Sequence, residues 1–237
     1  MVSWVEMEAV VEFHSVGLTT LEGTKQGVAY TSYLLQQRPD RVAVIGLYIS
    51  SRDFSLILVD ATDVYYTTLL WDSESARKLL LRVLYYINDP PESMMDPTII
   101  NKKDGTFTIN DNGEDYEGCT LLSCGHPIGR RTVVFRTGIF SAPVVKEQYL
   151  RLPAAGAEIP EATILGVVHG CEEMPGVVRV LKSGYVKRAN GTSIECGKDG
   201  RRRQKVRIVL QDTGDLFMTI RTPYEALVTA WDALESE

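Results

Sequence analysis

Val5, Met7, Ala9, Val11 and Phe13 alternate with Glu6, Glu8, Val10 and Glu12 at the start of the chain, and a period of two predicts a half-buried strand. Leu21 to Gln37 carries Val28, Leu34 and Leu35 at helical spacing and is closed by Arg38-Pro39. Three β-rich segments follow, Val42–Ile49, Phe54–Val59 and Val64–Leu70, with polar turns between them that predict a meander. From Ser73 to Ile87, Ala76, Leu79, Leu80, Val83, Leu84 and Ile87 recur every three or four residues, giving a helix with one apolar stripe that Asp89-Pro90-Pro91 ends. Residues 97–118 are rich in Asn, Asp, Gly and Lys around a short strand at Thr106–Ile109. A domain boundary is expected near Gly113, dividing the chain into 1–112 and 113–237.

The second half predicts strands at Cys119–Cys124, Thr132–Arg136 and Pro143–Tyr149, then a helix over Glu158–Val168. Strands at Val177–Val186 and Lys205–Gln211 flank a polar stretch. A last helix starts at Thr222-Pro223, where Glu225 completes a capping box and Tyr224, Leu227, Val228, Trp231 and Leu234 share a face. The whole pattern is α+β.

Composition changes this picture little. The 237 residues are 44% hydrophobic and 24% charged, enough for a sizeable core. A net charge of −6 argues against a general nucleic-acid surface, and Arg201-Arg202-Arg203 reads as a solvated hairpin tip. No apolar run is long enough to cross a bilayer, and the acidic start does not resemble a signal peptide. Four cysteines without a CxxC pair fit a reducing, intracellular setting, cytoplasmic or nuclear. Cys119, Cys124 and His126 match no zinc spacing, so no metal is expected there.

The order of residues in the second half carries more chemistry. A turn with Gly125 and Gly129 joins two strands, the next strand brings Val144-Val145-Lys146, and the following helix carries Glu158 and Glu161. A glycine turn lets backbone amides approach phosphates, a strand lysine can reach the same phosphates, and a helix glutamate can fix the direction of that lysine.

These residues resemble the fungal-type protein kinase domain, a divergent kinase family. The resemblance runs through Gly46-Leu47-Tyr48-Ile49 with Asp60, Met95-Asp96-Pro97-Thr98-Ile99, Ile128-Gly129-Arg130-Arg131-Thr132 and Val144-Val145-Lys146-Glu147. It continues through Arg207-Ile208-Val209-Leu210 with Gly214, and Ala230-Trp231-Asp232-Ala233. It implies a kinase-like nucleotide-side lobe, an antiparallel sheet plus one helix, followed by the start of the catalytic lobe. Lys146 then matches the phosphate-pairing lysine, and Glu161, with Glu158 as the alternative, matches the helix glutamate. Gly129, Arg131 and Thr132 fall in the phosphate loop, and Val209 to Gly214 in the adenine-facing hinge. Arg131 stands where the family has a second glycine, with its charge expected to compensate partly at the phosphate.

The chain ends before a His-Arg-Asp loop and an Asp-Phe-Gly metal site, so no kinase activity is expected of it alone. The expectation is a catalytically incomplete kinase-like protein, with ATP held weakly if at all. The alternative is a regulatory or interaction module, with a protein partner or self-association through the face that a catalytic lobe would cover. The same resemblance implies that the first half is a degenerate restriction-endonuclease-like fold, with Glu12-Phe13-His14 at the Glu-x-Lys position and Gln26 and Tyr30 on the next helix. His14 replaces the lysine, and a packing role is expected in place of nuclease activity. Glu6, Glu8 and Glu12 are expected to share one solvated strand face.

Overall fold

Parallel strands cannot be joined by a hairpin, and the first sheet is organised around one helical crossover. The computed structural model describes residues 4–13, 20–138, 143–152, 158–170, 177–198, 200–211 and 222–223. His14, Gly214 and the expected final helix beyond Pro223 lie outside them. Strand β1 (Val10–Phe13) leads through helix α1 (Thr20–Gln37) to β2 (Ala43–Ile49), which runs parallel to β1. Strands β3 (Asp53–Asp60) and β4 (Val64–Leu70) then complete the meander, in the order β1-β2-β3-β4. The predicted strand at Val5 is instead a single 3-10 turn, Trp4–Glu6, and pairing begins at Val10.

Helix α1 packs Leu34 and Leu35 against Val44, Ile57 and Val59 on one sheet face. The approach is close because Gly46 has no side chain: a Cβ there would overlap the Thr31 hydroxyl. The opposite face carries Leu47 and Phe54 and meets helix α2 (Glu74–Asn88) through Ala76 and Leu80. Ser73 caps α2, its hydroxyl accepting from the Ala76 amide at 3.3 Å, an arrangement typically worth ~1 kcal/mol. The apolar stripe is narrower than its sequence predicts. Ala76 and Val83 are buried, whereas Leu79 and Leu84 are exposed.

The second sheet has eight strands and is antiparallel throughout. Its strands are β5 (Ile99–Asn101), β6 (Thr106–Asp111), β7 (Glu114–Cys124), β8 (Val133–Arg136), β9 (Val144–Arg151), β10 (Val180–Tyr185), β11 (Glu195–Cys196) and β12 (Arg203–Leu210). After β9 the chain forms helix α3 (Glu161–Val168), reaches the edge as β10 and returns as β12 between β10 and β9. The order β10-β12-β9-β8-β7-β6-β5 places two strands from residues before Gly113 in this sheet. The expected 112/113 division thus falls in the β6–β7 hairpin, whose Asn112 and Gly113 have φ of 54° and 93°, as a tight two-residue turn requires. Asn, Asp and Gly there signal a turn inside one sheet, which in sequence looks the same as a linker.

Alternation along β9 gives this sheet two different faces. Val144 and Leu150 pack with Val206, Ile208 and Leu210 under α3. Val145 faces the other way, into a core with Phe107, Phe135 and Val209. Polar contacts tie this second sheet to the first unit: Gln36 Nε2 donates to the carbonyls of Cys124 and Gly125, and Asn101 Nδ2 to that of Val5.

Candidate functional site

Lys146 leaves β9 on the α3 side of the sheet, with Val134 and Ile208 as its cross-strand neighbours. Pro160 stands at the N-cap of α3, which makes Glu161 the first helical residue and places its carboxylate where the helix dipole favours negative charge. Lys146 Nζ donates to both Glu161 oxygens, at 2.7 and 2.6 Å. The lysine side chain is 21% exposed and the glutamate 30%, so the pair is shielded yet open to solvent. A fixed ammonium in that position can take an anionic oxygen of a ligand while the carboxylate keeps it aimed. Of the two candidate glutamates, Glu161 is the one brought to Lys146; Glu158 precedes α3 and lies among Arg130, Arg151 and Arg203.

The glycine turn is arranged differently from its sequence reading. Gly125 N donates to Thr132 O at 2.7 Å, and Gly129, with φ of 101°, donates its amide to Ala61 O at 2.8 Å. Ile128 packs into the α1 core. Arg131 does not present its charge to a ligand: it is buried, and its guanidinium donates to the carbonyls of Leu35, Arg38 and Arg41 at 2.7–2.8 Å. Those carbonyls lie at the end of α1 and just beyond it, where acceptors lack helical partners. The same guanidinium lies 5.7 Å from the Tyr149 ring centre. Arg131 thus anchors the turn to the first unit. Thr132 is half-buried beside it.

Val209 is buried within β12, paired with Val145 on one side and Lys182 on the other, so its backbone is committed to the sheet. Gly214 lies outside the described residues. In the first half the three glutamates do not share a strand face. Glu6 belongs to the 3-10 turn, Glu12 to β1, and Glu8 pairs with Arg38, Arg41 and Lys103. Burial tends to raise the Glu8 carboxyl, but Arg38, Arg41 and Lys103 together hold it below its ordinary value. Gln26 Nε2 donates to Tyr30 Oη at 3.0 Å, so these two residues pair with each other along α1. Among the described residues no three His, Cys, Asp or Glu side chains gather as metal ligands. Burial pushes the Cys119 thiol up to about 11 and Cys196 up to about 12, so both stay protonated at neutral pH.

Sequence reasoning missed a second ionic cluster, on the far side of β9. Lys205 Nζ lies 2.5 Å from Asp96 and 2.6 Å from Glu147; Arg207 lies 2.6 Å from Glu147 and donates to Thr98 Oγ1 at 2.7 Å. All four charged residues are buried. Burial alone would raise the Asp96 carboxyl, yet Lys205 and Arg207 hold it below its ordinary value. On β12, Arg203, Lys205 and Arg207 alternate with Gln204 and Val206, a pattern that sequence alone assigns to a solvent face.

A cavity of about 660 Å³ lies elsewhere, between α2 and the first sheet, lined by Ala43, Ile45, Leu56, Leu58, Val83 and Tyr86. No described helix is long and apolar enough to cross a membrane. Comparisons with protein families, curated proteins and solved structures found no match to this chain.

Proposed function

We propose that residues 114–211 form a kinase-like nucleotide-side lobe whose surviving chemistry is the Lys146–Glu161 pair. The observation that carries this reading is the two-pronged contact at 2.6–2.7 Å between a strand lysine and the first residue of the next helix. Support comes also from the route β7, turn, β8, β9, α3, β10, β12, with β12 returning beside β9, which follows the expected order of strand, glycine turn, strand, lysine strand and glutamate helix. On this reading Lys146 pairs with the phosphates of ATP.

The 237-residue sequence contains no His-Arg-Asp and no Asp-Phe-Gly triplet, so nucleotide holding is proposed here and phosphoryl transfer is not. The amides of Gly125 and Gly129 are already bonded within the fold, which leaves less of the turn for phosphate and makes weak binding the expectation. The nuclease-like reading of the first half becomes a packing role, because that half receives the Arg131 anchor.

Titration with Mg-ATP tests the proposal. Binding to the folded state alone raises the melting temperature with ligand concentration. A rise at millimolar Mg-ATP that Lys146→Met abolishes supports it; no rise, or an equal rise in the variant, removes it. A second reading, a non-enzymatic interaction lobe, is favoured by the exposure of Ile164, Val167 and Leu181 on α3 and β10. It predicts self-association in light scattering, weakened by Val167→Asp.

A further inference from the structure

We infer that Arg130, Arg151 and Arg203 form a site for a phosphoryl group, which Glu158 occupies as an internal competitor. A turn and two strand ends meet there: the β7–β8 turn brings Arg130, the end of β9 brings Arg151, and the start of β12 brings Arg203. Their nitrogens lie 3.4, 3.9 and 3.5 Å from the Glu158 carboxylate. Three positive charges thus surround one negative charge. Among the described residues no other acidic side chain pairs with these arginines.

The fit is poor in a specific way. Lys146 and Glu161 close to 2.6 Å, whereas no guanidinium here reaches hydrogen-bonding distance and geometry with Glu158. Glu158 Oε2 is buried without any hydrogen-bond donor. A planar carboxylate has two oxygens to offer three donors that are held apart. A tetrahedral phosphoryl group has three oxygens and up to two charges, and the guanidinium fork suits it. Arg203 is buried and braced, its NH1 donating to Tyr149 O at 3.1 Å, while Arg130 and Arg151 are exposed enough to meet a ligand. By the strand alternation Arg151 and Arg203 lie on the sheet face opposite Lys146, so the site does not depend on the nucleotide-side reading.

The test is calorimetric titration of the full chain with orthophosphate and with a phosphoserine peptide, at matched ionic strength. Glu158→Gln removes the competing charge and is expected to tighten phosphate binding about tenfold. The double change Arg130→Gln with Arg151→Gln, at two exposed positions, is expected to weaken it at least about tenfold. Tighter binding of the peptide than of orthophosphate identifies a phosphorylated protein as the source, and equal binding identifies the free ion. The inference is overturned if Glu158→Gln binds phosphate no tighter than the parent chain or if the double variant binds equally well. It is also overturned if Lys146→Met alone abolishes orthophosphate binding, which would assign the anion to the nucleotide site. Loss of Mg-ATP binding in Lys146→Met with orthophosphate binding retained separates the two sites.

Discussion

Lys146 and Glu147 are consecutive residues of β9, and the pleat sends them to opposite faces of one sheet. Glu147 enters a network closed by ion pairs among Lys205, Arg207 and Asp96, all buried, with the partly exposed Asp111 3.8 Å from Arg207. Lys146 meets a single carboxylate at a half-open edge. The same ionic chemistry therefore does opposite work. The network's charges are buried and committed to one another, so its role is to fix how Asp96-Pro97-Thr98 joins the second sheet. A half-exposed pair can exchange its partner for a ligand oxygen at little cost, because water already shares the charge.

The largest expected effect comes from breaking the closed network. Glu147→Gln leaves Lys205 with Asp96 and Arg207 with only the more distant Asp111, and losing one partner of such a buried pair typically costs ~3–5 kcal/mol. Urea unfolding reads this as a lower midpoint at unchanged slope. A loss below ~1 kcal/mol would mean that water reaches the network, and the contrast between the faces would fail.

The Arg131 anchor should rank next. Arg131→Met removes the guanidinium donor from the carbonyls of Leu35, Arg38 and Arg41, of which Arg38 O keeps only the Arg41 amide, and at charge-assisted strength this amounts to about 3 kcal/mol. Arg131→Lys should restore only part of this, since an ammonium lacks the planar fork that spans separate acceptors. Full rescue by lysine would show that charge alone, not the fork, holds the turn.

Acid should weaken both the Asp96 network and the Glu8 ion pairs. The Asp96 carboxyl titrates below its ordinary 3.8 and that of Glu8 below 4.5. A depressed folded value contributes stability that is present above the ordinary value and is lost as pH falls through the folded one. Stability should therefore drop below about pH 4, and Asp96→Asn should flatten that acid limb while lowering stability at neutral pH. An unchanged slope in the variant would remove Asp96 from the acid response.

How much of this was legible in sequence depends on what sets each feature. The meander from Ala43 to Leu70 and helix α2 follow from local periodicity and turn residues, and both appear within a few positions of their expected ends. The lysine and its preferred glutamate, Glu161, could be named because strand and helix order brings them together, and the Pro160 cap places that glutamate first in α3. The closed network was illegible for a physical reason. Lys205 and Arg207 alternate along β12 as solvent-facing residues do, and only the return of Asp96 against that face makes them interior. The Arg131 anchor was hidden likewise, because its partners are backbone carbonyls some ninety residues away, which carry no side-chain signature.

The smallest expected stability effect is at the open face, and it sharpens the comparison most. Lys146→Met removes one partly exposed ion pair, so it should change stability by no more than ~1 kcal/mol. The methionine stem can still lie against Val144 and Ile208, which keeps the packing under α3. Because the change is nearly silent in urea unfolding, any loss of Mg-ATP response in the same variant reports on the ligand and not on the fold. Should Lys146→Met instead unfold as readily as Glu147→Gln, both faces of β9 would be structural, and the open pair would lose its claim to a ligand.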